Sequence, residues 1–313
     1  MSRRNKGRDI DGMLLLDKSA GISSNVAVQR VKRLFQANKV GHTGSLDPIA
    51  TGLLPICLGE ATKLSGFLLN TDKRYFVRVR LGRTTTTADI EGEIVEEKPV
   101  PVLDGGMVEQ VLQPFRGEID QVPPMYSALK QGGQRLYDLA RKGLEVVREA
   151  RRINIYELRL LEFGTDFLDL EVHCSKGTYI RSLAEDIGAF LGCGGHVEQL
   201  RRLAVGTLEL GHAVTLDWLD TLSDEDRLSK LLPLSAIADE LPLFTLSAEL
   251  AFFLRRGQAV FAPNLTALGL LRLFNHEGEF LGVGEVTDEG MIAPKRLVKE
   301  PTTSDQHRAK QLI

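Results

Sequence analysis

Residues 41–63 read GHTGSLDPIATGLLPICLGEATK, a segment in which glycines surround a single Asp-Pro pair. Pro48 fixes its own φ and keeps the residue before it out of the helical region. Asp47 is therefore expected in a rigid loop, just ahead of the apolar run from Leu53 to Leu58, which predicts a buried strand. A carboxylate on a rigid loop that leads into the core is well placed for chemistry, whereas a lone Asp-Pro more often only makes a turn.

Composition places the chain among ordinary globular proteins. Its 313 residues are 43% hydrophobic and 26% charged, which suits one large domain with a smaller one, or two medium ones. No apolar run reaches the roughly 20 residues that a membrane span needs, and the apolar segment behind the basic N-terminus is too short for a signal peptide. The three cysteines lack CxxC spacing. We therefore expect a cytoplasmic location, without a disulfide framework or a zinc site.

Charge is unevenly distributed along the chain, whose formal net charge is −3. Residues 128–159 hold eight Lys/Arg against four Asp/Glu, whereas residues 217–249 hold two against eight. A chain with one basic and one acidic region can bind a polyanion in spite of its net sign. On charge alone, a solvated helix face explains the basic region equally well.

Predicted strands and helices alternate around the glycine-rich loop. Strands are expected at 13–16, 73–81, 93–96, 115–122, 153–163, 167–174 and from 198, with 153–163 and 167–174 forming a hairpin. Helices are expected at 24–36, 60–69, 105–111, 179–191 and 247–256, and short strands near 268–274, 280–286 and 291–293. The glycines of 192–195 predict a flexible break. After it, Leu200 is expected inside, with Arg201 or Arg202 outward.

Three polar side chains stand out at the ends of these elements. Tyr75 begins a strand, where its ring can line a cleft or remain a half-buried core aromatic. Arg181 lies in the first turn of a predicted helix, where its charge opposes the helix dipole. That placement indicates either a nearby anion or an arginine that faces solvent. Asp89 lies in a polar turn. It could bind the substrate or cap the turn, and we expect it to cap the turn.

Four ordered motifs resemble those of the TruB family of tRNA pseudouridine synthases. They are the segment 41–63 quoted above, KRY at 73–75, PPMYSA at 123–128 and CSKGTYIR at 174–181. The resemblance implies an α+β class, the pseudouridine synthase fold, in which helices flank a central mixed, mainly antiparallel sheet. It also implies a small C-terminal PUA-like β-barrel domain.

The expected organisation has four parts. Residues 1–11 are a flexible basic arm, and residues 12–242 are the catalytic pseudouridine synthase domain with an RNA-clasping insertion at about 124–152. Residues 243–300 are the PUA-like RNA-binding domain, a similarity of layout more than of motif. Residues 301–313 are a disordered tail.

The resemblance implies that the chain isomerises a uridine of tRNA, at position 55 in the T-loop, to pseudouridine. In that reaction the C1′–N1 bond breaks, the uracil rotates and C1′ joins C5, so no cofactor and no metal are required. Asp47 would be the nucleophile, at C1′ or at C6. Arg181 would pair with it, since a cation within about 4–6 Å lowers the pKa of a carboxylate by about 1–3 units. Tyr75 would stack on the uracil and act in proton transfer.

Four more residues receive substrate-binding roles from the same resemblance. His42 would occupy the space that flipped-out bases vacate, Tyr179 and Leu200 would contact the uracil, and Lys63 would contact a phosphate. The residues themselves leave alternatives open: a satisfied loop histidine, a core leucine and a lysine on a solvated helix face. The target base must leave its stack, at a cost of a few kcal/mol. The expected partner is tRNA alone, bound by a monomer that needs no protein partner and no membrane.

Three other functions compete with this interpretation. A tRNA-binding folding factor would need the basic insertion but no catalysis. A guide-RNA-dependent pseudouridine synthase would share the Asp47 loop but work within a multi-protein particle, and the insertion at 124–152 argues for stand-alone tRNA recognition instead. A glycoside hydrolase would need a second carboxylate as general acid, and none is evident in the motifs.

Overall fold

The computed structural model describes residues 7–127, 129–262, 265 and 268–299. These residues form nineteen strands: β1 (Gly12–Lys18), β2 (Val40–His42), β3 (Thr51–Leu58), β4 (Lys73–Leu81), β5 (Arg83–Thr85), β6 (Ile94–Glu97), β7 (Gly117–Gln121), β8 (Lys130–Gln131), β9 (Gln134–Arg135), β10 (Arg151–Phe163), β11 (Phe167–Cys174), β12 (Gly195–Val205), β13 (Leu208–Glu209), β14 (Val214–Thr215), β15 (Leu243–Leu246), β16 (Val260–Phe261), β17 (Leu270–Asn275), β18 (Phe280–Val286) and β19 (Met291–Leu297). The α-helices are α1 (Ser24–Leu34), α2 (Ser65–Leu69), α3 (Gly105–Leu112), α4 (Leu136–Ala140), α5 (Ile180–Phe190), α6 (Leu216–Thr221), α7 (Asp224–Leu228) and α8 (Ala248–Arg255). Short 3₁₀ segments cover Gly59–Lys63, Gln113–Phe115, Leu210–His212 and Leu234–Ala238.

A ten-stranded mixed sheet lies at the centre of the chain. Its strand order is β14-β1-β3-β12-β4-β11-β10-β7, with β2 paired to β3 and β13 paired to β12. The β1–β14 and β3–β12 pairs are parallel and the remaining pairs are antiparallel. The predicted mixed, mainly antiparallel sheet is therefore confirmed. The predicted hairpin is also confirmed, as the antiparallel pair of β10 and β11.

Strand β3, which follows the Asp47 loop, and its partner β1 are buried on both faces of the sheet. Leu14 of β1 and Leu54 of β3 belong to one core, beneath α1, α3 and α5. Leu15 and Leu53, their neighbours in sequence, belong to a second core on the other face. Because successive side chains of a strand point to opposite faces, both strands need apolar runs, which their sequences supply at 13–16 and 53–58.

The C-terminal strands form a second sheet in the order β15-β17-β18-β19-β16. Its β15–β17 pair is parallel and its other pairs are antiparallel. Leu254 of α8 packs against this sheet in a core of its own. Val283 and Val298 instead join the second core of the central sheet, so the two sheets are packed together. Among the described helices, none is long and apolar enough to cross a membrane.

The N-terminal segment differs from the flexible arm expected over residues 1–11. The Arg8 amide donates to the Gln36 carbonyl at 2.6 Å, and Ile10 is only 7% exposed. The Asp11 carboxylate accepts from the Glu60 amide at 2.6 Å. The expected arm is therefore wrong for residues 8–11, which are tied to the core. Residues 1–6 and the expected tail at 301–313 lie outside the described part of the chain.

The helix predicted over 60–69 is divided in two. A 3₁₀ segment ends at Lys63 and α2 begins at Ser65. The Thr62 hydroxyl donates to the Gly59 carbonyl at 2.7 Å, and the Ser65 hydroxyl donates to the Thr62 carbonyl at 3.0 Å. Such local side-chain bonds compete with those of a continuous α-helix.

The flexible break predicted at 192–195 is instead a close contact between a helix and a strand. Gly195 is the first residue of β12, and a Cβ on Gly188 of α5 would come within 2.2 Å of the Gly195 nitrogen. Any side chain at Gly188 would push the helix away from the sheet. Gly188 is thus required for packing, and residues 192–194 form a turn whose amides donate to the carbonyls of Ala189 and Gly188. The predicted flexible break is therefore wrong.

The two arginines of β12 have opposite environments. Leu200 is buried as expected, at 8% exposure. Arg201 points outward and its guanidinium pairs with Asp17 at 2.7 Å. Arg202 is only 2% exposed. Period-two alternation places Arg202 on the same face as Leu200, so the expectation that one of the two arginines faces outward is met by Arg201.

Candidate active site

Asp47 lies in the loop between β2 and β3, with its side chain 41% exposed. Both backbone groups of the preceding Leu46 bond to the hydroxyl of Ser24, the first residue of α1, at 2.7 and 2.9 Å. The Gly21 amide donates to the Pro48 carbonyl at 2.9 Å. The loop is therefore held on both sides of the carboxylate, and the rigid loop predicted from the Asp-Pro pair is present.

Arg181, in the first turn of α5, is the cation that contacts Asp47. Its Nε lies 3.0 Å from an Asp47 carboxylate oxygen, and its Nη1 lies 3.7 Å from Asp89. The guanidinium also donates to the carbonyls of Thr87 at 3.0 Å and Tyr126 at 2.7 Å. Its side chain is only 7% exposed. The anion expected from the helix position is therefore present, and the solvent-facing alternative is wrong.

Asp89 joins the polar turn to this ion pair. Its Oδ1 accepts from the Thr87 hydroxyl at 2.5 Å and from the Glu91 amide at 3.1 Å, which is the turn-capping arrangement that the sequence predicts. Its other oxygen faces Arg181, and the side chain is 5% exposed. Arg181 thus lies between two carboxylates, a second partner that the sequence did not indicate.

The pKa of Asp47 is raised above its ordinary value of 3.8, because burial penalises the charged carboxylate. The neighbouring guanidinium of Arg181 lowers it, the charge of Asp89 raises it, and the ammonium of Lys18 lowers it. The expectation that Arg181 would leave the pKa of Asp47 lowered is therefore wrong in its net sign. The cation offsets part of the desolvation cost and does not exceed it.

A raised pKa at Asp47 predicts the acid limb of the activity profile. If the carboxylate reacts, activity is lost as the pH falls through that pKa, so the limb lies at a higher pH than an ordinary aspartate would give. Asp89→Asn removes a charge that raises the pKa of Asp47, and the limb should move to lower pH. Single-turnover rates measured from about pH 4.5 to 8 test this. An acid limb at the same pH in both proteins would contradict it.

Lys18 is a buried lysine beneath the Asp47 loop. Its ammonium donates to the carbonyls of Ser19, Ile22 and Pro48 at 2.9, 2.8 and 3.4 Å, and the residue is 0% exposed. Burial lowers the pKa of Lys18 to about 8, while the charge of Asp47 raises it. At neutral pH the ammonium is therefore mostly charged, and its charge favours the ionised form of Asp47.

Tyr75 and His42 meet a second buried cation, Arg202. Burial raises the pKa of the half-buried Tyr75, and the charge of Arg202, its cross-strand neighbour in β12, lowers that pKa. His42 accepts from the Gly44 amide at 3.2 Å through Nδ1. Burial and then the charge of Arg202 lower the pKa of His42, so its ring is neutral at neutral pH. Tyr75 is packed against the core, and the charge of Asp47 also raises its pKa.

Tyr179 and Leu200 lie beside the Asp47 group. Tyr179 precedes α5, and its backbone exchanges two hydrogen bonds with Gln121, at 2.8 and 3.0 Å. Burial raises the pKa of Tyr179. The charge of Arg181 lowers it, and the charge of Asp47 raises it. The Leu200 carbonyl accepts from the Thr51 hydroxyl at 3.4 Å, which joins β12 to the strand after the loop.

Lys63 takes no part in these contacts. Its ammonium pairs with Glu60 at 2.5 Å, and its side chain is 37% exposed. The same Glu60 oxygen accepts from the Lys299 amide at 2.8 Å. The solvated helix face is therefore the environment that Lys63 has in the free protein, and a phosphate contact remains a prediction.

The sequence did not reveal two of the charged residues in this group. Lys18 follows the strand predicted at 13–16 and Arg202 lies inside the strand predicted from 198, positions where a long cation is usually exposed. Among the described residues, no group of three or more His, Cys, Asp or Glu could hold a metal ion.

Comparison with known families covers most of the chain. Residues 32–180 match the family described as TruB family pseudouridylate synthase (N terminal domain). Residues 181–237 match the tRNA pseudouridylate synthase B C-terminal domain, and residues 242–298 match pseudouridine synthase II TruB, C-terminal.

Individual proteins give the same result. A tRNA pseudouridine synthase B from Nitrosococcus oceani is 54% identical over 95% of this chain and 97% of its own length. One from Methylobacillus flagellatus is 53% identical over 94% and 97%. A crystal structure of a Cbf5-Nop10-Gar1 complex includes a chain with the same fold, at a TM-score of 0.71 and 24% identity over 92% of this chain and 84% of that one. At more than half identity along nearly the whole sequence, the chain belongs to the TruB family of pseudouridine synthases.

Proposed function

We propose that this chain converts uridine 55 in the T-loop of tRNA to pseudouridine, with Asp47 as the nucleophile. The observation that carries the proposal is the Asp47 carboxylate, which is accessible, held in a rigid loop and 3.0 Å from a buried guanidinium. A nucleophilic carboxylate must be ionised and fixed in direction, and this arrangement supplies both conditions. The relatives named tRNA pseudouridine synthase B support the same reaction.

The geometry divides the work among three side chains. Asp47 attacks the everted nucleoside at C1′ or at C6. Arg181 keeps the carboxylate charged and restricts its rotation. It pairs with the carboxylate again when the carboxylate is regenerated. Tyr75 offers a flat ring for stacking on the uracil, together with a hydroxyl next to the reacting base. His42, Tyr179 and Leu200 complete the walls in this proposal.

The segment at 124–152 supplies a basic surface for the RNA backbone. Within its described residues, β8 and β9 form a short hairpin whose turn residues Gly132 and Gly133 have φ values of +56° and +84°. Arg141 and Lys142 follow α4, and both are exposed. Exposed cations close in sequence to a glycine-hinged hairpin fit contact with phosphates, which gives salt-dependent affinity.

Removing two of these charges should weaken tRNA binding and its dependence on salt. We expect Arg141→Ala/Lys142→Ala to reduce the magnitude of the slope of log affinity against log salt by about 1–2, because each lost phosphate contact contributes about 0.7–0.9. Filter binding at several salt concentrations measures the slope. Arg83→Ala/Lys98→Ala removes a matched pair of exposed cations outside the segment and should leave the slope unchanged. Equal slopes for both variants would show that the segment does not grip phosphates.

The C-terminal unit is proposed to be a PUA-like RNA-binding domain over residues 243–300. It carries exposed aromatic rings at Phe252 on α8 and at Phe261 on β16, at 49% and 66% exposure. The Arg256 guanidinium lies 3.8 Å from the centre of the Phe252 ring. Aromatic rings with adjacent arginines are a common surface for nucleotides. The catalytic domain is proposed to span residues 12–242.

We further propose that the protein acts alone, as a monomer on tRNA. The basic segment at 124–152 supports recognition without a guide RNA. The Cbf5 chain is similar in fold alone, so this similarity does not indicate that the present chain binds the other proteins of that complex. The cytoplasmic location stays a prediction of the cysteine pattern. A folding factor without catalysis would not need a nucleophile paired to a buried arginine, so the site favours the enzyme.

The test is to incubate the pure protein with unmodified tRNA and to map pseudouridine along it. We expect one new pseudouridine, in the T-loop, without any added cofactor or second protein. Pseudouridine at another position would contradict the proposed substrate site. No pseudouridine, with tRNA bound, would favour the folding factor.

A further inference from the structure

Glu60 is a residue of the proposed catalytic domain whose side chain bonds to the main chain of the C-terminal unit. It lies in the 3₁₀ segment Gly59–Lys63, directly after β3, and its side chain is only 12% exposed. The amide of Lys299, two residues beyond the end of β19, donates to the Glu60 carboxylate at 2.8 Å. The same carboxylate oxygen lies 2.5 Å from the Lys63 ammonium. Two residues that are 239 positions apart in the sequence are thus joined by a hydrogen bond.

The main chain at Glu60 is fixed by other parts of the protein. Its amide donates to the Asp11 carboxylate at 2.6 Å, and the amide of Gly59 donates to the Lys39 carbonyl at 2.9 Å. Gly59 has a φ of +57°, and a Cβ at this position would overlap the Asp11 carboxylate, so a glycine is required here. Glu60 is therefore held in place independently of the C-terminal unit, and it offers Lys299 a fixed acceptor.

The charge of Glu60 strengthens its bond to the Lys299 amide. Burial raises the pKa of Glu60, whereas the bonds from Lys63 and Lys299 lower it, and the net direction is down. The carboxylate is therefore ionised at neutral pH. A hydrogen bond from a backbone amide to an ionised carboxylate is stronger than one between two neutral groups.

Other contacts between the C-terminal unit and the rest of the protein give less control of direction or lie elsewhere. A shared apolar core contains residues of the unit, of the 3₁₀ segment and of its C-terminal cap, namely Val283, Val298, Ala61 and Leu64. Apolar packing is non-directional, so it does not by itself fix a rotation. Arg272 pairs with Asp239, which lies just before the unit begins. Lys299 lies near the other end of the unit, so its bond to Glu60 restrains a second point.

The position of Glu60 is linked to that of Asp47 through one strand. The Asp47 loop leads into β3 at Thr51, and β3 ends at Leu58, next to the 3₁₀ segment. A buried strand is a rigid support for what lies at its two ends. We propose that Glu60 is a positioning residue for tRNA recognition, which holds the C-terminal unit, through the Lys299 amide, in the orientation that lets one tRNA contact the unit and Asp47 together. This inference rests on the proposed function.

A ligand that contacts two surfaces of one protein is held more tightly than either contact allows, because the second contact forms within the complex. That gain depends on geometry, and it falls when one surface can rotate away from the other. Loss of the bond between Glu60 and Lys299 should therefore weaken the binding of whole tRNA. A hairpin that contains only the T stem and loop should bind as before. A bond that only stabilised the surroundings of Asp47 would affect both RNAs equally.

The first test removes the donor of this bond. Lys299→Pro has no amide hydrogen, whereas Lys299→Ala keeps it, and both variants lose the same ammonium. We expect Lys299→Pro to bind whole tRNA about tenfold more weakly than Lys299→Ala, and the T-arm hairpin within about twofold of it. Filter binding with the two RNAs measures this. Single-turnover rates at saturating tRNA should be equal in both variants.

The second test removes the acceptor. Glu60→Ala should weaken the binding of whole tRNA, and Glu60→Gln, whose amide oxygen can still accept from Lys299, should restore most of the affinity. In the Glu60→Ala background, Lys299→Pro and Lys299→Ala should bind whole tRNA equally, because the bond is already absent. A tenfold difference that persists in that background would overturn the inference. If Lys299→Pro does not fold, the comparison of Glu60→Ala with Glu60→Gln completes the test.

A distance measurement reports the arrangement without RNA. Spin labels at Glu97→Cys and Glu289→Cys lie on exposed positions of the two parts of the protein, and the three native cysteines are buried. We expect a broader distribution of label distances with Lys299→Pro than with Lys299→Ala. An unchanged distribution, or equal losses of affinity for both RNAs, would overturn the inference. A wild-type protein that binds whole tRNA no more tightly than the hairpin would instead overturn the proposed RNA-binding role of the C-terminal unit, so the two failures are distinguishable.

Discussion

Asp47→Asn is expected to abolish pseudouridine formation while leaving the protein folded and able to bind tRNA. An amide oxygen is a poor nucleophile, so we expect turnover to fall by about 10³-fold or more. Asparagine has nearly the volume of aspartate, and Arg181 keeps Asp89 and the carbonyls of Thr87 and Tyr126 as partners. Tritium release from C5-labelled uridine in tRNA measures the loss, and thermal unfolding checks the fold.

The matched control is Asp166→Asn. Asp166 is 48% exposed and pairs with Arg80 at 2.6 Å, away from the Asp47 loop. Exposed pairs of this kind contribute about 0–1 kcal/mol, so turnover should stay at the wild-type rate. Turnover by Asp47→Asn within about tenfold of wild type would remove Asp47 from the role of nucleophile.

The parts of the fold that the sequence predicted are those that local pattern controls. The alternation in β4, from Lys73 to Leu81, is a property of nine consecutive residues, and the hairpin of β10 and β11 needs only two such segments with a turn between them. The rigidity of the Asp47 loop follows from one proline. The placement of Arg181 followed from a helix start that carries an unfavourable charge.

The parts that the sequence missed depend on contacts between distant residues. Arg202 is buried because its guanidinium reaches the carbonyls of Gly44 and Leu53, which precede it by 158 and 149 residues. The short strand β15 was not predicted, because its partner in a parallel pair is β17, which comes after α8 in the sequence. The net direction of the pKa shift at Asp47 was also missed. A neighbouring cation can be inferred from a motif, whereas the depth of burial that opposes it cannot.

Arg181→Met is expected to lower turnover far more than tRNA affinity. The substitution keeps most of the apolar stem but removes the cation next to Asp47. The carboxylate then loses its fixed direction, and the pKa of Asp47 rises further because Arg181 was lowering it. We expect turnover to fall by about 10²–10³-fold, and the acid limb of the activity profile to move to higher pH. Single-turnover rates across pH and equilibrium binding measure the two effects.

Stability should fall as well, because Asp89 and two backbone carbonyls lose their partner inside the protein. Breaking a buried ion pair costs about 3–5 kcal/mol of stability. Because the Asp47 side chain is 41% exposed, we expect Arg181→Met to lose an amount at or below the low end of that range. Arg181→Lys keeps the charge without the fork of donors, so it should recover part of the rate and leave the acid limb near its wild-type pH. Arg159→Met removes an exposed arginine, at 57% exposure, and serves as the control for general charge loss. A defect in tRNA binding alone, with the rate of bound tRNA unchanged, would show that Arg181 contacts a phosphate. The ion pair with Asp47 would then be a feature of the free protein without a part in the chemistry.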